Sequence, residues 1–338
     1  MMNKKIIIGG EFAANSFYNS FNILSNITIG QTTNSGRAAL ELLLNEKTLN
    51  KIDQIYLPFF MCPSIMPIIK KYFKKYFFYD LDKDFLPIVP KIKKNSAFLK
   101  INYFGKTNNI KLKNTIIIED RSHNIDIPKK NTNSFYFGSL RKSGVFNIGG
   151  WCSVGVSTKT KHKNHSKFLA KFRKKKFFYL KEKNLSLKKE KKLINEFKKI
   201  ENIIYKEPTS LSINKIKKIT NLSINKIKKI RKNNYNFLIK NINSKYILDL
   251  NLKKNETPLF FILKLKNSYQ RNKLKVLLKK NNIFCPIHWI LNNKKKNFQN
   301  TNSNEFSKTL LSIPIDHRYN LKHMKIILNV IKFFLKNL

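Results

Sequence analysis

Between residues 35 and 157, short apolar runs alternate with segments whose apolar residues recur at helical spacing, and that alternation leaves the chain few choices. Runs of β-branched and aromatic residues separated by helices build a mostly parallel sheet, because parallel neighbours need a crossover between them. The runs predict strands at Gln54–Leu57, Tyr76–Tyr79, Ala97–Asn102, Thr115–Glu119, Ser134–Phe137 and Trp151–Ser157. Ser35–Leu49 reads as a helix capped by Ser35 or Asn34, with Ala38, Ala39, Leu42 and Leu43 on one face. Another helix begins near Ser64, with Pro67 in its first turn. The expected class is α/β.

The composition changes twice downstream. Residues 1–158 form one expected unit, a large domain with an N-terminal arm. Residues 159–234 are Lys-rich and almost free of glycine, which predicts a helical connector. Within it LSINKIKKI occurs at Leu211–Ile219 and again at Leu222–Ile230, a shift of eleven residues. Eleven residues is close to three helical turns, so both copies set Ile and Leu on one stripe and Lys on the other. That stripe reads either as a nucleic-acid-binding helix or as a solvated face, and no aromatic platform accompanies it. Residues 235–338 return to mixed structure and predict a small C-terminal α+β domain. It would hold an apolar run at Leu259–Leu265, a helix at Tyr269–Lys280, the segment NIFCPIHW, then SIPIDHRY and a helix from Leu321.

Charge enters here. Lys and Arg number 68 against 19 Asp and Glu, a formal net charge of +49. An excess of that size points to a polyanionic partner or to biased composition, and the accompanying abundance of Asn and Ile, useless for phosphate binding, speaks for the second. An apolar share of 42% excludes disorder as the global answer. Cys62, Cys152 and Cys285 are far apart and lack any CxxC spacing, so neither a disulfide framework nor a metal site is expected. The isoleucines before Gly9 are too few for a signal-peptide core, and no run of 18 apolar residues follows. A cytoplasmic protein without membrane insertion or a specific nucleic-acid partner is the expectation.

Three separated segments fit one site. NSGRAAL, at Asn34–Leu40, is a small-residue turn that opens a helix; backbone N–H groups there form a phosphate cradle, and Gly36 permits close approach. TIIIEDRSH ends a strand in Asp120, with His123 three residues on. Catalytic groups in open α/β sheets gather at such strand ends, although a turn or cap role suits an aspartate equally. SFYFGSLRKSGVFNIGGW carries Ser139, Arg141 and Lys142 between a strand end and a Gly-rich turn. A cradle, a carboxylate and a loop lysine are the three protein groups that a pyridoxal 5'-phosphate site needs.

The order of these segments is similar to that of the DegT/DnrJ/StrS-type aminotransferases. The resemblance rests on Asn34–Leu40, LPFFMCPS at Leu57–Ser64, INYFGK at Ile101–Lys106, IIEDRSHNI, SLRK at Ser139–Lys142 with its later Gly pair, CPIHW at Cys285–Trp289 and IPIDHRY at Ile313–Tyr319. More closely it resembles a branch with SLRK in place of the commoner SFHxTK, and it runs from about Gly9 to Leu338. It implies a type I pyridoxal-phosphate-dependent transferase fold and a homodimer with sites at the subunit boundary. Lys142 then corresponds to the Schiff-base lysine and Asp120 to the carboxylate that pairs with the pyridine nitrogen. Ser35, Gly36, Arg37 and Ser139 fall in the phosphate-binding segments, and His123 near the ring's 3-oxygen. Arg37 stands where the family has a hydroxyl residue. Cys62 falls where it has an aromatic over the ring, so Phe60 becomes the candidate to stack. The family's downstream Gly-x-Asn-x-Arg segment is not recognisable.

The implied reaction moves an amino group from an amino acid donor to a keto-sugar, nucleotide-linked, in surface polysaccharide or modified-sugar synthesis. Arg141 reads as a neighbour that lowers the Lys142 pKa or as a structural or phosphate contact. His288 reads as pocket lining or as a residue packed beside Trp289, and Arg318 as an anion-binding group or as a partner of Asp316. Two rival functions remain: a retired fold that binds a ligand or regulates without transamination, and a nucleic-acid-binding protein suggested by charge alone.

Overall fold

Six strands of one large sheet lie where the apolar runs predict them, and a short strand that those runs do not predict completes the seven found among the described residues. The computed structural model describes residues 6–10, 30–49, 51–126, 128, 135–146, 149–154, 222–291 and 298–338, with isolated positions 192, 195, 196 and 199. The large sheet contains β2 (Gln31–Thr33), β3 (Gln54–Pro58), β4 (Lys75–Tyr79), β5 (Ser96–Ile101), β6 (Ile116–Asp120), β7 (Phe135–Ser139) and β8 (Gly150–Cys152). Their spatial order is β4-β3-β5-β6-β7-β8-β2. The pairs from β4 to β7 are parallel, and β8 runs antiparallel to both β7 and β2. Every residue of β5 is buried, as expected of a strand covered on both faces.

Boundaries differ from expectation mainly at short or polar ends. Helix α1 (Gly36–Leu44) stops at Asn45 rather than Leu49, where the Asn45 N–H caps Glu41 and Leu43 carbonyls. Asn and Thr compete for backbone bonds and favour turns there. Strand β7 continues to Ser139, two residues beyond the apolar run, because it pairs with β8 as far as Gly150. Residues 155–157 of the expected sixth strand lie outside the described residues. A 3-10 turn at Pro63–Ile65 leads into α2 (Met66–Tyr72), with Pro67 in its first turn.

The second unit is built on an antiparallel pair, β9 (Phe260–Lys264) and β11 (Leu310–Pro314). Around it stand α3 (Ile224–Asn241), α4 (Ser268–Lys280), α5 (Asn302–Thr309) and α6 (Leu321–Lys336). Helix α3 runs unbroken through residue 234, where the composition changes. Its first turns are the second LSINKIKKI copy, capped by Ser223; the first copy lies outside the described residues. Strand β1 (Ile8–Gly9) pairs in parallel with β10 (Ile283–Phe284), and Gly9 N–H donates to Tyr319 Oη at 2.7 Å. One buried apolar cluster extends across both units, and a smaller one joins Ile125, Leu140, Val145, Phe146, Trp151 and Ile227. No helix among the described residues is long and apolar enough to cross a membrane.

Candidate active site

Parallel strands deliver Asp120 and Ser139 to the same edge of the sheet, at the ends of β6 and β7. Past β6 the chain turns on Asp120, whose Oδ1 accepts from Ser122 N–H at 2.7 Å, and this places His123 inward at 2% exposure. Past β7 a 3-10 turn, Arg141–Ser143, ends at Gly144 with φ +74°, a left-handed position that suits glycine. Two bonds hold this loop: Leu140 N–H to the Gly149 carbonyl at 3.0 Å, and Ser143 Oγ to the Leu140 carbonyl at 2.6 Å. They bring Lys142 Nζ to 3.2 Å from His123 Nε2.

The start of α1 reaches the same place. Ser35 Oγ accepts from Ala38 N–H at 3.2 Å and caps the helix. A Cβ on Gly36 would stand 3.3 Å from both the Gly138 carbonyl oxygen and Ser139 Cβ, so the first turn lies directly against the end of β7. A Cβ on Gly150 would come within 2.3 Å of the Ser35 carbonyl oxygen. The close approach of Ser35, Gly36 and Ser139 therefore depends on small residues on both sides.

The groups also act on one another electrostatically. Burial lowers the Lys142 pKa; Asp120 and Cys62 oppose the shift, and Arg141 and Arg37 add to it. Burial raises Asp120 while Lys142 and the Ser122 bonds oppose it. Burial, then Lys142 and His288, hold His123 well below the usual histidine range. His288 is pushed down to about 3 by burial and by Lys142, and its Nδ1 lies 2.8 Å from Ser312 Oγ.

On the other side of Lys142 a cavity of about 390 Å³ is lined by Arg141, Arg231, His288, Asp316 and Arg318, with Gly9 and Gly10 of the N-terminal segment. Arg318 donates to both Asp316 oxygens, at 2.7 and 2.9 Å, so the ion-pair reading of this residue describes its geometry. Asp316 falls to about 2: burial alone would raise it, but Arg318 and then Arg231 outweigh that.

Sequence reasoning missed Arg231. It is 1% exposed, donates to the Ser143 and Leu259 carbonyls at 2.8 and 3.0 Å, and so ties the lysine loop to the second unit. Its signal was faint but present: in a chain saturated with lysine, an arginine inside the repeat-derived helix breaks the pattern. Phe104 and Trp289, which stack on the His123 ring at 5.4 and 5.5 Å, were also missed in that role. Phe60, expected over a cofactor ring, is instead wholly buried among Phe85, Tyr103, Trp289 and Phe306. Its large apolar ring gains more from that core, while Cys62, two residues on, is the neighbour of Lys142. No group of three or more His, Cys, Asp or Glu residues suited to a metal ion occurs among the described residues.

Known proteins provide a fold and no sequence match. No protein-family model matches the chain, and no curated protein matches it. Among solved structures it is similar to a Streptococcus pneumoniae protein assigned as a sugar aminotransferase, in its PMP form, at 13% identity and TM-score 0.60, covering 91% of this chain and 86% of that one. It is similar to a sugar aminotransferase from Micromonospora echinospora at 12% identity and TM-score 0.58, covering 92% and 89%. A DegT DnrJ EryC1 StrS aminotransferase from Brucella abortus matches at 13% identity and TM-score 0.54, covering 90% and 85%. The α/β fold with a large, mostly parallel sheet is thus the fold of these aminotransferases.

Proposed function

We propose that the chain is a pyridoxal-phosphate-dependent aminotransferase of the DegT/DnrJ/StrS type, in the SLRK branch. In this reading it transfers an amino group from an amino acid to a keto-sugar, nucleotide-linked, for surface polysaccharide or modified-sugar synthesis, and works as a cytoplasmic homodimer. The observation that carries it is the convergence of Lys142, His123, Asp120 and the start of α1 from three separate segments. The fold it shares with solved sugar aminotransferases supports the same reading.

The residues present fit the cofactor. Gly36 and Gly150 let the first turn of α1 pack directly against the ends of β7 and β8 beside Ser139, where a Cβ would intrude. Backbone N–H groups of that first turn, Ser139 and the charge of Arg37 would hold the phosphate at this junction. Asp120 would accept from the protonated ring nitrogen, with Ser122 N–H fixing the carboxylate. When bound, pyridoxal phosphate supplies an aldehyde and a ring that withdraws electrons from the α-carbon of an amine.

The chain's own groups then do the proton work. Lys142 Nζ, held towards the neutral amine by burial, takes a proton from the donor α-carbon and later returns one. Arg231, Arg318 and Arg141 outnumber Asp316 around the cavity and favour an anionic substrate. Phe260 and Pro286 give the cavity apolar wall on the same lining as Lys142.

The test is to add pyridoxal phosphate to the purified full chain, look for a visible absorbance band, reduce with borohydride and map the modified peptide. A pyridoxyl group on Lys142 is the expected result. No band, or modification at another lysine, overturns the assignment. Sedimentation of the same sample tests the homodimer.

A further inference from the structure

We propose that His123 is a positioning residue that keeps Lys142 a neutral amine, its Nε2–H donating to the lysine nitrogen. The argument begins at the opposite side of the imidazole. Phe104 N–H donates to His123 Nδ1 at 3.3 Å. A backbone N–H can only donate, so Nδ1 presents its lone pair, and the single proton of a neutral imidazole resides on Nε2. That nitrogen lies 3.2 Å from Lys142 Nζ. An ammonium there would set donor against donor, whereas a neutral amine offers a lone pair.

Aromatic neighbours pack the ring: Phe104 and Trp289 stack on it with interplanar angles of 26° and 20°, and His288 meets it at a steep angle at 5.4 Å. Phe104 is itself fixed: its φ is +53°, and its carbonyl accepts from Leu259 N–H at 2.8 Å. The tautomer is therefore set by the Tyr103–Gly105 turn and its anchor in the second unit, away from the lysine.

The charged and titratable groups around the pair are Asp120 from β6, Arg141 from the lysine loop, Arg37 from α1, Cys62 from the turn after β3 and His288 from the segment after β10. Asp120 draws Lys142 towards the ammonium form. Burial and the two arginines oppose it, and the His123 N–H adds a direct bond that only the amine can accept. Lys142 thus begins as a nucleophile with no proton to release into solvent.

The functional meaning of this state rests on the aminotransferase reading, so the test uses the cofactor-free full chain and reads the residues directly. Long-range proton–nitrogen NMR of histidine-labelled protein reports which ring nitrogen carries the proton, with the His123 signals assigned by their loss in His123→Gln. Protonated Nε2 and unprotonated Nδ1 are expected; the opposite pattern overturns the proposal. Carbamylation of Lys142 by cyanate, followed by peptide mass spectrometry from neutral to alkaline pH, reads the amine itself. His123→Gln retains an N–H donor and keeps the wild-type profile. His123→Leu shifts the midpoint upward and slows labelling at neutral pH about tenfold, one pKa unit. A His123→Leu profile that coincides with wild type overturns the proposal, whatever pyridoxal phosphate does. Should that variant not fold, the imidazole tautomer decides alone.

Discussion

Arg231 is a cation held by two neutral carbonyls, Ser143 on the lysine loop and Leu259 before β9. Burial lowers its pKa to about 10, with Asp316 opposing the shift. Such a group is costly to bury and more costly to remove alone, since its acceptors are then left without a donor. Arg231→Ala should cost about 3 kcal/mol in denaturant unfolding. Arg231→Lys should recover only part of this, because one ammonium does not span two carbonyls as a planar guanidinium does. Only seven positions carry arginine, residues 37, 121, 141, 173, 231, 271 and 318, so the 68 basic residues include 61 lysines (68 − 7). Three of the seven line the cavity, and Arg37 acts on Lys142 from α1. In such a chain an arginine is the more informative cation. Asp120→Asn should leave Lys142 available for trapping by pyridoxal phosphate yet lower turnover about 10²-fold or more, since an amide does not hold a ring proton. Single-turnover absorbance separates the two effects.

Among elements, α1 was readable because Ser35, the small residues after it and the Leu run agree on one capped, amphipathic helix. Strands β3, β5 and β6 were readable as near-continuous apolar runs, the pattern of strands buried on both faces. Strands β1, β2 and β10 have two or three residues each, too few for a period, and exist because a partner strand is already in place, whereas the run beginning at Trp151 did announce β8. The seating of α1 is likewise a contact between elements. Gly150→Ala would drive a methyl to within 2.3 Å of the Ser35 carbonyl oxygen and displace the start of the helix. Equilibrium titration should show pyridoxal phosphate bound about tenfold more weakly, with pyridoxal, which lacks the phosphate, less affected; equal loss for both would refute the cradle. The second LSINKIKKI copy makes the same point. Its Ile227 is fully buried beside the lysine loop, so the apolar stripe is a packing surface rather than a repeat module standing apart.

For the whole molecule, +49 on one chain means self-repulsion in the folded state. Raising salt from about 0.02 M to about 0.3 M shortens the screening length several-fold, and the thermal midpoint should rise. Acid should act in the opposite sense. His288 and His317 are depressed to about 3 and about 4, chiefly by burial, against about 6.5 in the unfolded chain. The unfolded state binds more protons between those values, so stability is full above about pH 6.5 and falls as pH drops towards about 3. Asp316, held near 2, adds loss below about 3.9. Denaturant midpoints across this range check the slope; a flat profile down to pH 4 would show the histidines to be solvated. What the residues determined unaided was local and additive: helix and strand type over long periodic segments, the α/β class, and which segments could carry a cradle, a carboxylate and a loop lysine. Tertiary structure alone decided which groups meet. The 3.2 Å contact of Lys142 with His123, the clamp of Arg231, the displacement of Phe60 into the core and the N-terminal strand beside the cavity all join residues far apart in the chain. Periodicity and capping are set within a few residues, whereas such contacts depend on how two packed units close on each other, and no local pattern encodes that geometry.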